Sequence, residues 1–241
     1  LEFRRVLFRS APTVNRHGGG AMLLDDPEHM RRIVLAVRQA VPEAIAVSAK
    51  MRLGACNTGK ALECALALQD GGVSSLVVHA RTRDDGYRPP AHWEWVARIR
   101  ETVQVPVIAN GEVWTAQDYL RCRAVSTCND VMIGRGAVAD PFLARRILAI
   151  NAGERITDQR HADWLEFLPL LAEFWQQVHT RVEGRHAPGR LKLWLNSLRR
   201  TFVEAEALYW AVRPLCDVQQ TSRMLEQHAV PPWRGALPQA A

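Results

Sequence analysis

From residue 25 to residue 134, short continuous apolar runs alternate with longer stretches whose apolar residues recur at helical spacing. The first helical stretch opens at Asp25-Asp26-Pro27-Glu28, where a capping acid, a proline of the first turn and a further acid make a helix start. Met30, Ile33, Val34 and Val37 then fall on one face, and the pattern stops near Val41-Pro42. Residues 46–53 read as a strand with basic residues at its end, and residues 58–70 as an Ala/Leu-rich helix closed by Gly71-Gly72. Residues 75–81 read as a buried strand, 92–103 as a helix, 105–110 as a strand, 116–124 as a helix and 130–134 as the last strand. This order predicts an α/β fold with parallel strands.

After Asp140-Pro141 strand signals stop. Residues 160–182, 189–202 and 204–228 read as helices, the first with Trp164, Phe167, Leu168, Leu171, Phe174 and Trp175 on an apolar face. The expected fold is therefore the C-terminal half of a (β/α)8 TIM barrel followed by a small all-helical domain. Four strands are read, whereas a closed barrel of this type needs about eight. The expected divisions are a non-native-looking leader over 1–10, a partial barrel over 11–150, a helical domain over 151–230 and a flexible tail over 231–241. An open set of parallel strands exposes an edge, from which poor solubility, self-association or pairing with a complementary fragment is expected.

Apolar residues make up 48% of the 241, enough for a core and too many for a disordered chain. The formal net charge of +6 suits either a polyanionic partner such as RNA or an ordinary basic protein. None of the five cysteines forms a C-x-x-C pair and no Cys/His cluster has zinc spacing, so no metal site and no disulfide is expected. No apolar run approaches the ~20 residues of a membrane span, and residues 1–10 lack the apolar core of a secretory signal. These features together predict a cytoplasmic protein with reduced thiols.

Chemistry in a barrel sits at the C-terminal ends of its strands. Here those ends carry Lys50 and Arg52, then His79 and Arg81, then Asn110-Gly111-Glu112, then Gly134-Arg135-Gly136. The last two are where such barrels hold a phosphate, with glycine admitting the anion to main-chain amides and Arg135 adding charge. A lysine and a histidine on neighbouring ends suit an electron-rich ring, which points to a phosphorylated ring-bearing cofactor such as FMN. Taken singly, Lys50 also reads as a snorkelling surface lysine and His79 as a core histidine, each the lesser of the two readings.

The segments S-A-K-M-R-L-G (48–54), V-V-H-A-R-T (77–82), V-I-A-N-G-E-V (107–113) and V-M-I-G-R-G-A (131–137) resemble, in order and spacing, the tRNA-dihydrouridine synthase family. Residues 11–24 resemble the loop after that family's catalytic cysteine. The region around Gly189-Arg190-Leu191-Lys192-Leu193-Trp194-Leu195 is similar to the RNA-binding domain of its bacterial class C subgroup. The resemblance implies an FMN barrel in which NADPH reduces the flavin, the flavin delivers hydride to C6 of a D-loop uridine, and a cysteine protonates C5. It implies Lys50 and His79 at the isoalloxazine, and Asn110, Gly111, Glu112, Gly134 and Arg135 at the ribityl phosphate. It places Arg190, Lys192 and Trp194 at tRNA, with Tyr87 and Arg88 as further RNA contacts; packing within its helix is the competing role for Trp194. Class C resemblance suggests uridine 16, and a monomer for the full-length parent.

The cysteine of that family falls at Arg9 and its neighbouring proline at Ser10. A guanidinium stays protonated at useful pH and cannot donate that proton. No catalytic residue is therefore assigned, and this chain is expected to be inactive alone. A non-catalytic tRNA-binding remnant and an FMN barrel oxidoreductase acting on a small molecule are the competing readings.

Overall fold

The computed structural model describes residues 17–155, 159–228 and 230. The leader 1–10 with Arg9 and Ser10, residues 11–16 and the tail 231–241 lie outside the described residues. The chain divides into two compact units, Leu1–Gly134 and Arg135–Ala241. That boundary precedes residue 150, where the sequence pattern placed it.

In the first unit a 3-10 turn (Gly20–Asp25) leads into α1 (Pro27–Ala40), β1 (Ser48–Arg52), α2 (Ala61–Asp70) and β2 (Ser75–His79). Then follow α3 (Trp93–Thr102), β3 (Val107–Asn110), α4 (Ala116–Ser126) and β4 (Val131–Met132). The strands form one sheet in the order β1-β2-β3-β4, and every pairing is parallel. A strand followed by a helix, repeated with sequential parallel neighbours, is consistent with part of a (β/α)8 barrel.

Local chemistry sets the element ends. Asp26 Oδ1 accepts from the His29 amide at 2.9 Å, which caps α1 with Pro27 as its first residue. Arg38 closes the other end, its guanidinium donating to the carbonyls of Val41 and Pro42 at 2.7 Å and of Ile45 at 2.8 Å. Thr115 and Asp118 form a reciprocal capping box at α4, with 3.0 Å bonds in both directions. Where α1 crosses α2, a Cβ on Gly71 would lie 2.7 Å from Val34 Cβ, so only glycine fits that approach.

Alternation along the strands sorts the side chains into two faces. Ala49, Met51, Leu76, Val78, Val107 and Ala109 are buried on one face, where the helices pack. The other carries Lys50, Arg52, His79, Asn110 and Met132. β2 is buried on both faces beyond its first residue, as its continuous apolar run predicts; β1 and β3 alternate.

The second unit holds α5 (Arg135–Ala139), α6 (Leu143–Asn151), α7 (Arg160–Arg181), α8 (Ala187–Leu198), α9 (Val203–Val212) and α10 (Val218–Gln227). Its core joins Phe167, Leu168, Leu171 and Trp175 of α7 to Leu191, Leu195 and Leu198 of α8 and Leu208 of α9. At the α6–α7 junction Arg146 pairs with Asp140 at 2.7 Å and with Asp163, while Arg145 reaches Asp163 and Glu166. Burial pushes the Asp140 carboxyl above its usual range, and Arg146 opposes that shift.

Three expectations are corrected. The strand expected at 130–134 is only Val131–Met132, because Gly134 leads straight into α5. The helix expected at 204–228 is two, because Pro214 supplies no amide to continue α9 and Asp217 starts α10 by accepting from Gln220 N at 2.9 Å. Finally, α5 and α6 were not foreseen.

Leu195 and Leu193 share α8 but face opposite ways, 0% and 65% exposed. Leu195→Ala is expected to cost about 2–5 kcal/mol and Leu193→Ala about 0.5 kcal/mol or less, read as shifts of the urea midpoint.

Candidate functional site

Parallel register puts Arg52, His79, Asn110 and Met132 side by side at the C-terminal ends of their strands. Lys50, two residues earlier on β1, shares their face. Its Nζ donates to Asn110 Oδ1 at 2.9 Å, and Asn110 Nδ2 donates to the Met132 carbonyl at 2.8 Å. One amide thus orients the lysine of β1 and ties β3 to the end of β4. Arg52 turns instead to the loop after β2, donating to the carbonyls of Thr82 at 2.8 Å and Gly86 at 3.2 Å. Its guanidinium lies 5.5 Å from the centre of the Tyr87 ring. His79, only 7% exposed, has its ring 6.2 Å from that of Tyr87.

Like charges crowd this face. Lys50 keeps solvent contact, yet the surrounding protein desolvates its ammonium and, with help from Arg52, lowers its pKa from 10.5 to about 8. Desolvation also lowers Arg52, opposed by Tyr87. Both arginine and lysine stay cationic at neutral pH, so the face favours an anion or an electron-rich ring.

The turn after β3 has unusual backbone. Gly111 has φ 120° and Glu112 φ 57°. A Cβ at Gly111 would lie 3.0 Å from His79 Cδ2, so the turn rests directly on the imidazole. The Gly111 carbonyl accepts from Trp93 Nε1 at 3.0 Å. The Glu112 carboxylate is bound by Arg81 and, at 3.0 Å, by Trp114 Nε1. Its main chain, not its carboxylate, is therefore what this residue offers an anion. A Cβ on Gly134 would meet nothing within 4 Å, so the end of β4 borders open space. Arg135 begins the second unit as the first residue of α5.

The residues present fit a flavin nucleotide such as FMN: a lysine held by an amide, a buried histidine with a glycine turn against it, and a second glycine, Gly134, bordering open space. Lys50, His79, Asn110, Gly111 and Gly134 come together in one unit. Arg52 and Arg81 stand at the same strand ends, and their basic character was visible, but their partners in distant loops were not.

The residues expected at tRNA differ in setting. Tyr87 is 62% exposed, and Arg88 is exposed with its guanidinium on the carbonyls of Asp84 and Asp85. Arg190 is exposed on α8. Lys192 donates to the Leu215 carbonyl at 2.5 Å. Trp194 packs edge-on to Phe174 and Phe167, with centroids 4.5 and 5.1 Å away, and donates to the Val138 carbonyl at 3.3 Å. Its indole is thus engaged in the core of its own unit.

All five cysteines are free. Burial pushes the thiols of Cys64 and Cys122 up to about 11 and about 12. Cys56 is exposed, and an Asp84 hydrogen bond raises its thiol as well. None lies on the strand residues of the Lys50 face. Among the described residues no group of three or more His, Cys, Asp or Glu could hold a metal ion, and no helix is long and apolar enough to cross a membrane.

A family model described as dihydrouridine synthase matches residues 11–208. The chain is 56% identical over 220 residues to the tRNA-dihydrouridine(16) synthase of Ralstonia nicotianae, covering 91% of this chain and 66% of that protein. It is 56% identical to the protein of that name from Cupriavidus necator, covering 90% and 66%, and 51% identical to that from Pseudomonas syringae pv. tomato, covering 89% and 67%. The chain thus spans about 66% of the length of the first two.

Two measurements test this geometry. The sequence has three lysines, Lys50, Lys60 and Lys192, which isotope-labelled methylation makes visible to NMR. The Lys50 signal is expected to titrate near pH 8, its charge present at pH 7 and lost as pH rises through that value. Gly111→Ala is expected to cost about 1–3 kcal/mol in thermal unfolding, since alanine at this φ is strained and meets His79.

Proposed function

This chain belongs to the dihydrouridine synthase family, and on that premise we propose that it carries the flavin-binding and tRNA-binding parts of an enzyme that reduces uridine to 5,6-dihydrouridine in tRNA. The names of its relatives support position 16, in the D-loop, as the target. The observation that carries the reading is the polar row at the strand ends, with Lys50 bonded to Asn110 and the Gly111 turn seated on His79.

The proposed cofactor is FMN, reduced by NADPH; when bound, it supplies hydride chemistry. Lys50 and His79 would hold the ring. Asn110 fixes the lysine, and the turn at Gly111 and Glu112, with Gly134 and Arg135, would hold the phosphate. Lys50 contributes a positive charge that favours an electron-rich ring at neutral pH and fades above about pH 8. The target uridine has to leave its stack to reach this face. Arg190, Tyr87 and Arg88 are the exposed candidates for tRNA, while Lys192 and Trp194 shape the helix that carries Arg190. The second unit, read as a separate helical tRNA-binding domain, supplies that helix. We assign no catalytic acid, since no cysteine is among the strand residues of the Lys50 face and the family's cysteine position falls at Arg9. Binding without turnover, in a cytoplasmic setting, is therefore proposed for this chain.

A chimera tests the reaction. Residues 46–134 replace the matching segment of the Ralstonia nicotianae relative, and dihydrouridine at position 16 is read by mass spectrometry of tRNA fragments. Position 16 is expected to be modified, and Lys50→Met in the chimera is expected to lower the rate by about tenfold or more. Full activity with Lys50→Met, or modification of a different uridine, would refute the assignment. For the 241-residue chain, tRNA binding is expected to weaken steeply with salt.

A further inference from the structure

Beneath the polar row lies a cation with no role in the reading above. Arg81, just after β2, is 0% exposed. Its Nε donates to the Pro90 carbonyl at 3.2 Å, its Nη2 pairs with Glu112, and its Nη1 has no partner. Enclosing a guanidinium with one donor unmet is unfavourable, so an interaction that holds it there is expected to serve something beyond packing.

What it holds is the turn after β3. Glu112 sits at φ 57°, a region that L residues disfavour and achiral glycine does not, and it follows Gly111 at φ 120°. Nothing intrinsic to glutamate keeps the main chain there. Its side chain does, because one carboxylate oxygen is taken by Arg81 and the other by Trp114 Nε1 at 3.0 Å. Trp93 fixes the preceding carbonyl at 3.0 Å. The same pairing also neutralises a carboxylate that would otherwise repel an anion from this turn.

We propose that Arg81 is a positioning residue for the phosphate of the flavin. By pinning Glu112 it aims the main-chain amides of the turn and cancels the acid beside them, without itself touching the ligand. This rests on the reading of the face as a flavin site. It predicts a penalty confined to ligands that carry the phosphate. A purely structural arginine would instead weaken FMN and riboflavin alike, since the two share the ring and differ only in that group.

The test is the ratio of riboflavin Kd to FMN Kd for the full chain, measured by flavin fluorescence quenching. Arg81→Met and Arg81→Lys are compared with Arg81→Met/Glu112→Leu, which leaves no buried charge unpaired and so guards against simple misfolding. Wild type is expected to prefer FMN. The methionine and double variants are expected to lose about tenfold of that preference with riboflavin affinity unchanged, and lysine to restore part of it. Retained preference in the double variant, or equal loss for both flavins, overturns the role of Arg81. A wild type that binds the two flavins equally, or neither, overturns the flavin-phosphate reading and this inference with it.

Discussion

Everything at the candidate site depends on the register of four parallel strands. Side chains of a strand change face at every residue, so a slip by one position would send Lys50, His79 and Asn110 into the helix layer and Ala49, Val78 and Ala109 out of it. The register is specified from the buried side. Small and branched apolar residues there leave no room for a lysine, and β2 is enclosed on both faces beyond its first residue. The polar row is therefore a by-product of correct core formation. Chemistry is placed by hydrophobic burial on the reverse of the same sheet, and the site needs no separate scaffold.

Much of this was legible beforehand because its signals are local. Period-2 and period-3.6 patterns located four strands and four helices of the first unit, and caps such as Asp26 and Gly71 marked their ends. The strand ends named the basic and glycine residues of the face. Family resemblance then assigned Lys50, His79 and Asn110 to a ring and a phosphate, an assignment that stays a proposal.

What was not legible is what distant segments do to one another. No local pattern says that Arg81 turns under the sheet end to Glu112, or that Trp93 and Trp114 complete that arrangement. The family resemblance puts Glu112 at the phosphate, but its left-handed backbone has no signature in the sequence because glutamate rarely adopts it. For Trp194 the sequence leaves stacking on RNA and packing within its own domain both open, and Phe167 and Phe174, which pack against it, come from another helix. The broken helix at Pro214 is a different case, since the proline was in view. There the continuous apolar pattern on both sides masked a local stop.

Gly111 and Gly134 look alike in sequence, each closing a strand beside a charged residue, yet they answer to different masters. At Gly111 the protein itself excludes a side chain, through φ 120° and the ring of His79. At Gly134 the fold leaves a side chain free to enter empty space. A side chain at position 111 would lower folding stability, whatever the face binds. A side chain at position 134 would cost the fold nothing through crowding and would matter only to a ligand brought into that space. Substitution at the two glycines therefore separates a demand of the fold from a demand of binding.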